Sequence, residues 1–318
     1  MKKLLLLLLF VPLISLGQTA ESYYKSGNEK NKLKDYKGAI ADFSKAIELD
    51  PEYVSAYNNR GLAKSYLKDY KGAITDYTKA IELDPEDALT YYNRGFAKDR
   101  LKDYKGAITD YTKAIELDPE DADLYLFRGD AKYDLKDYKA AITDYTKAIE
   151  LDPEDADVYL FRGDAKYDLK DYKGAIADYT KVIELDPEDD LAYNGRGDAK
   201  FELKDYKGAI TDYTKVIELK PDYAEAYNAL AWCLHLSGNS IKALIICKKG
   251  IKINPNIPIL YITSGEIKLG IDNSGEIQQG LGLNDKLGAC NDWRKVLSIK
   301  NDNQYIKMAS DYLSKYCN

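Results

Sequence analysis

The chain has 318 residues, a formal charge of -7, 31% charged residues, and 29 tyrosines against 6 phenylalanines and 2 tryptophans. A balance this acidic counts against nonspecific nucleic-acid binding, because such a surface repels phosphate rather than releasing its counterions. Leu, Ala and Ile are spread evenly, a composition of repeated amphipathic helices and not of one large globular core.

The first segment, MKKLLLLLLFVPLISLG, joins a basic start to an apolar run that is short for a membrane span, with small residues Ser15 and Gly17 at the place of a cut. It predicts a secretory signal peptide over residues 1–17, cleaved before Gln18, and hence an exported protein, periplasmic or extracellular. Loss of Lys2 and Lys3 takes the mature charge from -7 to -9. No Cys follows the run, which disfavours an N-terminal lipid anchor, and no membrane span is expected in the mature chain.

From Ala20 onward one unit dominates: LKDYKGAITDYTKAIELDPED recurs almost unchanged, and units begin at Ala20, Val54, Ala88, Ala122, Ala156, Asp190 and Ala224, 34 residues apart. The fourth and fifth differ only at Leu124/Val158, Ala140/Gly174, Thr143/Ala177 and Ala148/Val182, as duplication of whole units would leave them. Within the fourth, Leu124, Tyr125, Gly129 and Ala131 fall at helical spacing. After a turn, Ala141, Ile142, Tyr145, Ala148 and Ile149 form one face of a second helix. Asp137 is the expected N-cap of that helix, and Asp152 with Pro153 ends it, since proline lacks the donor a helix interior needs. A lone hairpin of this size cannot cover its apolar face, so successive units must stack.

In the third unit Tyr91, Gly95, Ala107, Tyr111, Ala114 and Pro119 read as an aromatic, a small residue four on, Ala, aromatic and Ala in the second helix, and a closing proline. This resembles the tetratricopeptide repeat family, over seven units in residues 20–257. The resemblance implies an all-α fold, an α-solenoid that is a right-handed superhelix of helical hairpins. It also implies a non-enzymatic scaffold whose concave groove, lined by the first helix of every unit, holds another protein. The fold does not name the partner.

One departure from the family pattern is informative. Places commonly apolar carry Arg60, Arg94, Arg128, Arg162 and Arg196, with Lys64, Lys98, Lys132, Lys166 and Lys200 one turn later, and the second helix supplies Asp76, Asp110, Asp144, Asp178 and Asp212. In the seventh unit all three become apolar together, as Leu230, Leu234 and Ile246. Joint replacement predicts that the three meet in space, as a structural charge ladder between helices.

By the same resemblance, the second, fifth, ninth, twelfth and thirteenth places of each unit face the groove. In the middle units these are Asp123, Leu126, Asp130, Tyr133 and Asp134, then Asp157, Leu160, Asp164, Tyr167 and Asp168, then Asn194, Asp198, Phe201 and Glu202. An acidic wall with interleaved aromatics favours a basic, partly apolar protein or peptide. Toward the ends the places hold Asn28, Asn31, Asn58 and Tyr66, then Tyr92, Phe96 and Arg100, and in the seventh unit Asn228, Trp232 and His235.

No chemistry of another kind is legible. Cys233, His235 and Cys247 match no ordinary zinc spacing and lack a fourth ligand, so neither metal nor cofactor is expected. The carboxylates recur in every unit, which repetition produces and catalysis does not require. An export route permits disulfides, and Cys290 with Cys317 is the preferred pair, stapling the last helix to the stack. Beyond Asn256 the rhythm weakens: residues 258–300 read as an eighth unit interrupted by a loop over 271–285, and 301–318 as a capping helix. The competing reading is a purely structural spacer of an envelope assembly, and a more remote one is an enzyme with a site around Trp232, Cys233 and His235.

Overall fold

The computed structural model describes residues 19–272, 278, 283–299 and 303–317. The expected signal segment, residues 1–17, lies outside them, as do residues 273–277 and 279–282 of the expected loop. The described residues fall into two compact units, divided between Leu135 and Lys136. All regular elements of length among the described residues are α-helices.

The first unit holds α1 (Ala20–Lys32), α2 (Tyr36–Leu49), α3 (Val54–Tyr66), α4 (Tyr70–Leu83), α5 (Ala88–Arg100), α6 (Tyr104–Leu117) and α7 (Ala122–Asp134). Helices α1 and α2, α3 and α4, and α5 and α6 pair as hairpins; each second helix also packs on the next first helix, and α1, α3, α5 and α7 touch in sequence. The second unit holds α8 (Tyr138–Leu151), α9 (Ala156–Asp168), α10 (Tyr172–Leu185), α11 (Asp190–Glu202), α12 (Tyr206–Leu219), α13 (Ala224–Leu236), α14 (Ser240–Ile253), α15 (Pro258–Leu269), α16 (Lys286–Ser298) and α17 (Asn303–Tyr316). The same alternation runs from α8 to α16, and α17 lies against α15 and α16. Each unit is an all-α solenoid of stacked hairpins.

Each hairpin is shaped by its turn. Asp69 caps α4 by accepting from the Gly72 backbone N–H at 3.0 Å, and Asp171 caps α10 by accepting from Gly174 at 3.1 Å. Before the cap, the backbone enters the left-handed region at Lys34, Lys68, Lys102, Lys136, Lys170 and Lys204, with φ between 61° and 64°. There the chain closes the preceding helix through Lys68 N–H to Ser65 O and Asp69 N–H to Lys64 O, both 2.9 Å. In the seventh repeat Gly238 holds this place at φ 87°.

The core is built of small residues against one ring per hairpin. Ala39, Ala73, Ala107, Ala141, Ala175 and Ala209 are fully buried, and Phe43, Tyr77, Tyr111, Tyr145, Tyr179 and Tyr213 are at most 2% exposed. A Cβ at Gly163 would stand 2.8 Å from the Tyr179 ring, which is why the first helix can cross so closely there. The tail closes the stack with Trp293, fully buried and donating Nε1–H to Ile262 O at 3.3 Å, flanked by Tyr312 and Tyr316 at 4.9 and 6.0 Å between ring centroids. A disulfide joins Cys290 of α16 to Cys317 just after α17.

Candidate functional site

The charged places come first, because they fix the walls. Arg60 presents Nε and Nη2 to the two oxygens of Asp76 at 2.9 and 2.7 Å, and Lys64 Nζ stands 2.7 Å from Asp76 Oδ2. The same fork joins Arg94 and Lys98 to Asp110, Arg162 and Lys166 to Asp178, and Arg196 and Lys200 to Asp212. Each arginine also reaches back one hairpin, to Ser44, Thr78, Thr146 or Thr180 at 3.0–3.2 Å, and lies 5.5–5.7 Å over the tyrosine three residues before it. Arg128 donates to Thr112 at 3.2 Å within the first unit; its expected carboxylate, Asp144, is buried in the second.

Sequence reasoning missed the shortened rungs at the ends. Lys30 pairs with Asp42 at 2.6 Å, where Ser26 donates to the same carboxylate in place of an arginine, and Lys268 pairs with Asp292 at 2.6 Å in the interrupted unit. In the seventh repeat the three positions are hydrocarbon: Leu230 is buried, and Leu234 and Ile246 pack around it with Tyr213 and Cys233.

The groove places fall into two kinds. Asp123, Asp134, Asp157, Asp168 and Glu202 are exposed, whereas Leu126, Asp130, Tyr133, Asp164, Tyr167, Asn194, Asp198 and Phe201 are half-buried and Leu160 is buried. In the first unit Asp123 shares a cleft of about 250 Å³ with Leu89, Tyr92, Asp118, Asp121 and Leu124. A larger cleft of about 440 Å³ is walled by Tyr66, Tyr70, Tyr77, Tyr92 and Phe96. In the second unit Leu160, Asp164, Tyr167, Asn194 and Asp198 are brought together, with Tyr179, Leu191 and Gly195, around a cleft of about 220 Å³. Asp157 stands apart from that cleft, its backbone N–H bound to Asp155.

Inside this cleft the carboxylates are held in place. Tyr179 donates to Asp164 Oδ1 at 2.7 Å, Tyr213 to Asp198 Oδ1 at 2.6 Å, and Asn194 Nδ2 to Asp198 Oδ2 at 3.1 Å. Burial pushes both carboxyls above the usual range; the tyrosine bonds oppose that, while Asp168 beside Asp164, and Glu202 and Asp164 beside Asp198, add to it. At the rim, Tyr167 meets Tyr172 edge-on at 5.3 Å and Phe201 leans on Tyr206 at 5.7 Å. Asp134, Asp168 and Glu202 bond to the leading tyrosine of the preceding second helix, Tyr104, Tyr138 and Tyr172 respectively; loss of hydration raises those phenols, and the neighbouring carboxylates raise them further.

Asp164 and Asp198 are fixed by the hydroxyls of Tyr179 and Tyr213, second-helix rings at core spacing. One sequence expectation changes here. His235, assigned to the groove, is fully buried: its ring nitrogens meet Ser240 Oγ at 3.0 Å and Ile271 O at 2.9 Å, and burial lowers its pKa. The chain leaving α15 covers it, a contact no repeat period encodes. Cys233 and Cys247 are buried unpaired thiols whose pKa burial pushes up to about 12, so they stay protonated. Among the described residues, His, Cys, Asp and Glu form no group of three or more able to hold a metal ion, and no helix is long and apolar enough to cross a membrane.

The comparisons with known proteins follow this geometry. Residues 27–65, 129–169, 163–204 and 197–238 match the family model described as TPR repeat, and 54–87, 88–121 and 224–257 match models described as tetratricopeptide repeat. Among solved structures, the chain is similar to YrrB, described as a TPR protein with an unusual peptide-binding site, at 27% identity and a TM-score of 0.53 over 58% of this chain and 95% of that one. It is similar to MamA at 25% identity and a TM-score of 0.52, over 53% of this chain and 92% of that one. The C-terminal part of a TPR repeat-containing protein from Cytophaga hutchinsonii shares the fold alone, at 21% identity and a TM-score of 0.60 over 89% of this chain and 98% of that one. No curated protein matches the chain in sequence.

Proposed function

We propose that this chain, which belongs to the tetratricopeptide repeat family, is a non-enzymatic scaffold that holds a segment of another protein against the first helices of its hairpins. The observation that carries the reading is the convergence of Leu160, Asp164, Tyr167, Asn194 and Asp198, residues of two successive first helices, on one cleft with both apolar and acidic walls. The peptide-binding site named for YrrB supports it. Carboxylates at the rim and in the wall favour a basic, partly apolar segment over nucleic acid, with charge steering the encounter and tyrosines supplying contact area. Two features support an exported chain in the cell envelope: the basic-then-apolar start of the sequence, which suits a signal peptide, and the Cys290–Cys317 disulfide, which suits an oxidising compartment.

The test is charge reversal at the exposed rim, Asp168→Lys and Glu202→Lys together, followed by crosslinking and pull-down from an envelope extract. The rim is chosen because Asp164 and Asp198 are tied to buried tyrosines, and reversing them would disturb the fold. The scaffold reading expects the captured partner to be lost, and capture by the parent chain to weaken with salt. Undiminished, salt-insensitive capture of the same partner would remove the acidic-groove reading. A pure spacer, by contrast, would tolerate the reversal and fail when one 34-residue unit is deleted.

A further inference from the structure

The sixth place of each repeat decides what stands beside the core ring of the hairpin before it. In the first unit Phe127 takes this place and packs among Tyr92, Phe96 and Tyr111, at 5.3, 6.5 and 6.3 Å between ring centroids. In the second unit Phe161 stands 6.4 Å from Tyr145 in the same relationship. One repeat later the place is Gly195. The three residues corresponding to Tyr92, Phe96 and Tyr111 are then Leu160, Asp164 and Tyr179, and all three line the 220 Å³ cleft beside Gly195. A Cβ there would stand 2.7 Å from Tyr179 Cζ, so the ring leans against bare backbone. Tyr179 thus lies against the backbone that Phe127 and Phe161 cover in the two preceding repeats, and a cleft with a changed lining stays open beside it.

The lining says which group the cleft suits. Where the earlier repeat had the Phe96 ring, this one has the Asp164 carboxylate, and Asp198 faces it from α11 with Asn194 beside it. Burial disfavours the charge on each of the two carboxyls, and Asp164 adds to the effect on Asp198. A cation entering the cleft relieves that. Leu160 and the exposed Leu191 offer hydrocarbon to a stem, and the Tyr179 ring lines the cleft beside them. A phenyl group would strand two carboxylates against apolar surface, and an ammonium would meet them only as a point charge. A guanidinium satisfies both, being planar, permanently charged and able to meet a carboxylate with two parallel donors.

We propose that the cleft beside Gly195 is the seat for an arginine side chain of the bound segment. The proposal rests on the scaffold reading above and names the residue that segment must carry.

The full chain, labelled with 15N-glycine, is titrated with N-acetyl-arginine methylamide, and with the lysine and phenylalanine equivalents, while the Gly195 amide signal is followed. That signal is assigned by its disappearance in Gly195→Ala. The arginine probe is expected to shift it at least about threefold more tightly than either other probe, within the millimolar range open to so small a ligand. Asp198→Asn should weaken the arginine probe about tenfold, or about 1.4 kcal/mol, and Gly195→Phe, which places there the ring of the two preceding repeats, should abolish its effect. Equal or tighter binding of the phenylalanine probe, or a Gly195 signal unmoved by arginine, overturns the proposal. If Gly195→Phe does not fold, probe selectivity on the parent chain and the Asp198→Asn titration decide alone. Partner capture that survives loss of the arginine response leaves the scaffold standing and removes only the seat, whereas capture indifferent to the rim reversal strikes the scaffold reading itself.

Discussion

Arg162 grips Asp178 with two parallel bonds, Nε to Oδ2 at 3.0 Å and Nη2 to Oδ1 at 2.7 Å, while Lys166 closes on the same carboxylate from one turn away at 2.7 Å. Asp178 is 4% exposed, so the charge it carries is bearable only while both cations are present. Asp178→Ile alone leaves an arginine and a lysine facing each other in the hairpin and should destabilise by about 3–5 kcal/mol. The triple variant Arg162→Leu, Lys166→Leu and Asp178→Ile copies the seventh repeat, where Leu230, Leu234 and Ile246 pack together, and should lie within about 1 kcal/mol of the parent. Thermal melts of the two variants decide: equal losses would show that the rungs are not coupled.

Glu266 is the one carboxyl among the described residues with a shift large enough to read as a pH effect near neutrality. It is 8% exposed, accepts from Tyr312 Oη at 2.7 Å, and burial pushes its pKa from 4.5 to about 7. Because the folded chain holds this proton more tightly than the unfolded chain, the stability it contributes is full below pH 4.5 and is lost as pH rises to about 7. The difference amounts to something on the order of 3 kcal/mol at the tail. His235 acts with the opposite sign: its lowered pKa means stability is lost as pH falls below the ordinary value of 6.5. Comparison with Glu266→Gln separates the two. The advantage of the parent over the variant in melting temperature should shrink between pH 5 and pH 8, and an advantage independent of pH would contradict the assignment.

The disulfide closes 27 residues around Trp293. Loop-closure entropy for that length stabilises the closed tail by about 3.5 kcal/mol relative to its reduced form. Reduction, or Cys317→Ser, should therefore release α17 before the hairpins, raising amide exchange in residues 303–316 and around Trp293 while α9 to α12 keep their protection. Uniform loss of protection along the second unit would mean that the tail is not a separately opening cap.

The hairpins were legible because period and chemistry agree. The seven unit starts read from the sequence are the first residues of α1, α3, α5, α7, α9, α11 and α13. The ladder geometry could be anticipated because Arg, Lys and Asp change together in the seventh repeat, a covariation visible inside one chain. What stayed hidden depends on contacts between repeats that the period itself does not display. Tyr179 reads as a core ring from its spacing, and only its hydroxyl, reaching Asp164, makes it part of the groove. His235 reads as a groove residue from its register, and the chain after α15 buries it. The signal at Gly195 was present, in the change from Phe127 and Phe161 to glycine, but its meaning needed the rings that those phenylalanines touch.

A last prediction concerns the turns. Six lysines sit with φ near +62°, where a Cβ crowds the following carbonyl at a cost of about 1–2 kcal/mol. Glycine avoids that strain but loses about 0.4–1 kcal/mol through the greater freedom of its unfolded chain. The balance favours glycine, and the seventh repeat already carries it as Gly238. Lys170 is a suitable site, since it is exposed and its backbone N–H keeps its bond to Tyr167 O at 2.7 Å whatever the side chain. Lys170→Gly should raise the stability of the second unit by about 0.5–1 kcal/mol, and Lys170→Val should lower it, because a β-branched side chain tolerates this region least. A lysine chosen for its charge would respond otherwise. Lys170→Gly and Lys170→Gln would then lose stability together, and a urea titration of the three variants distinguishes backbone strain from charge.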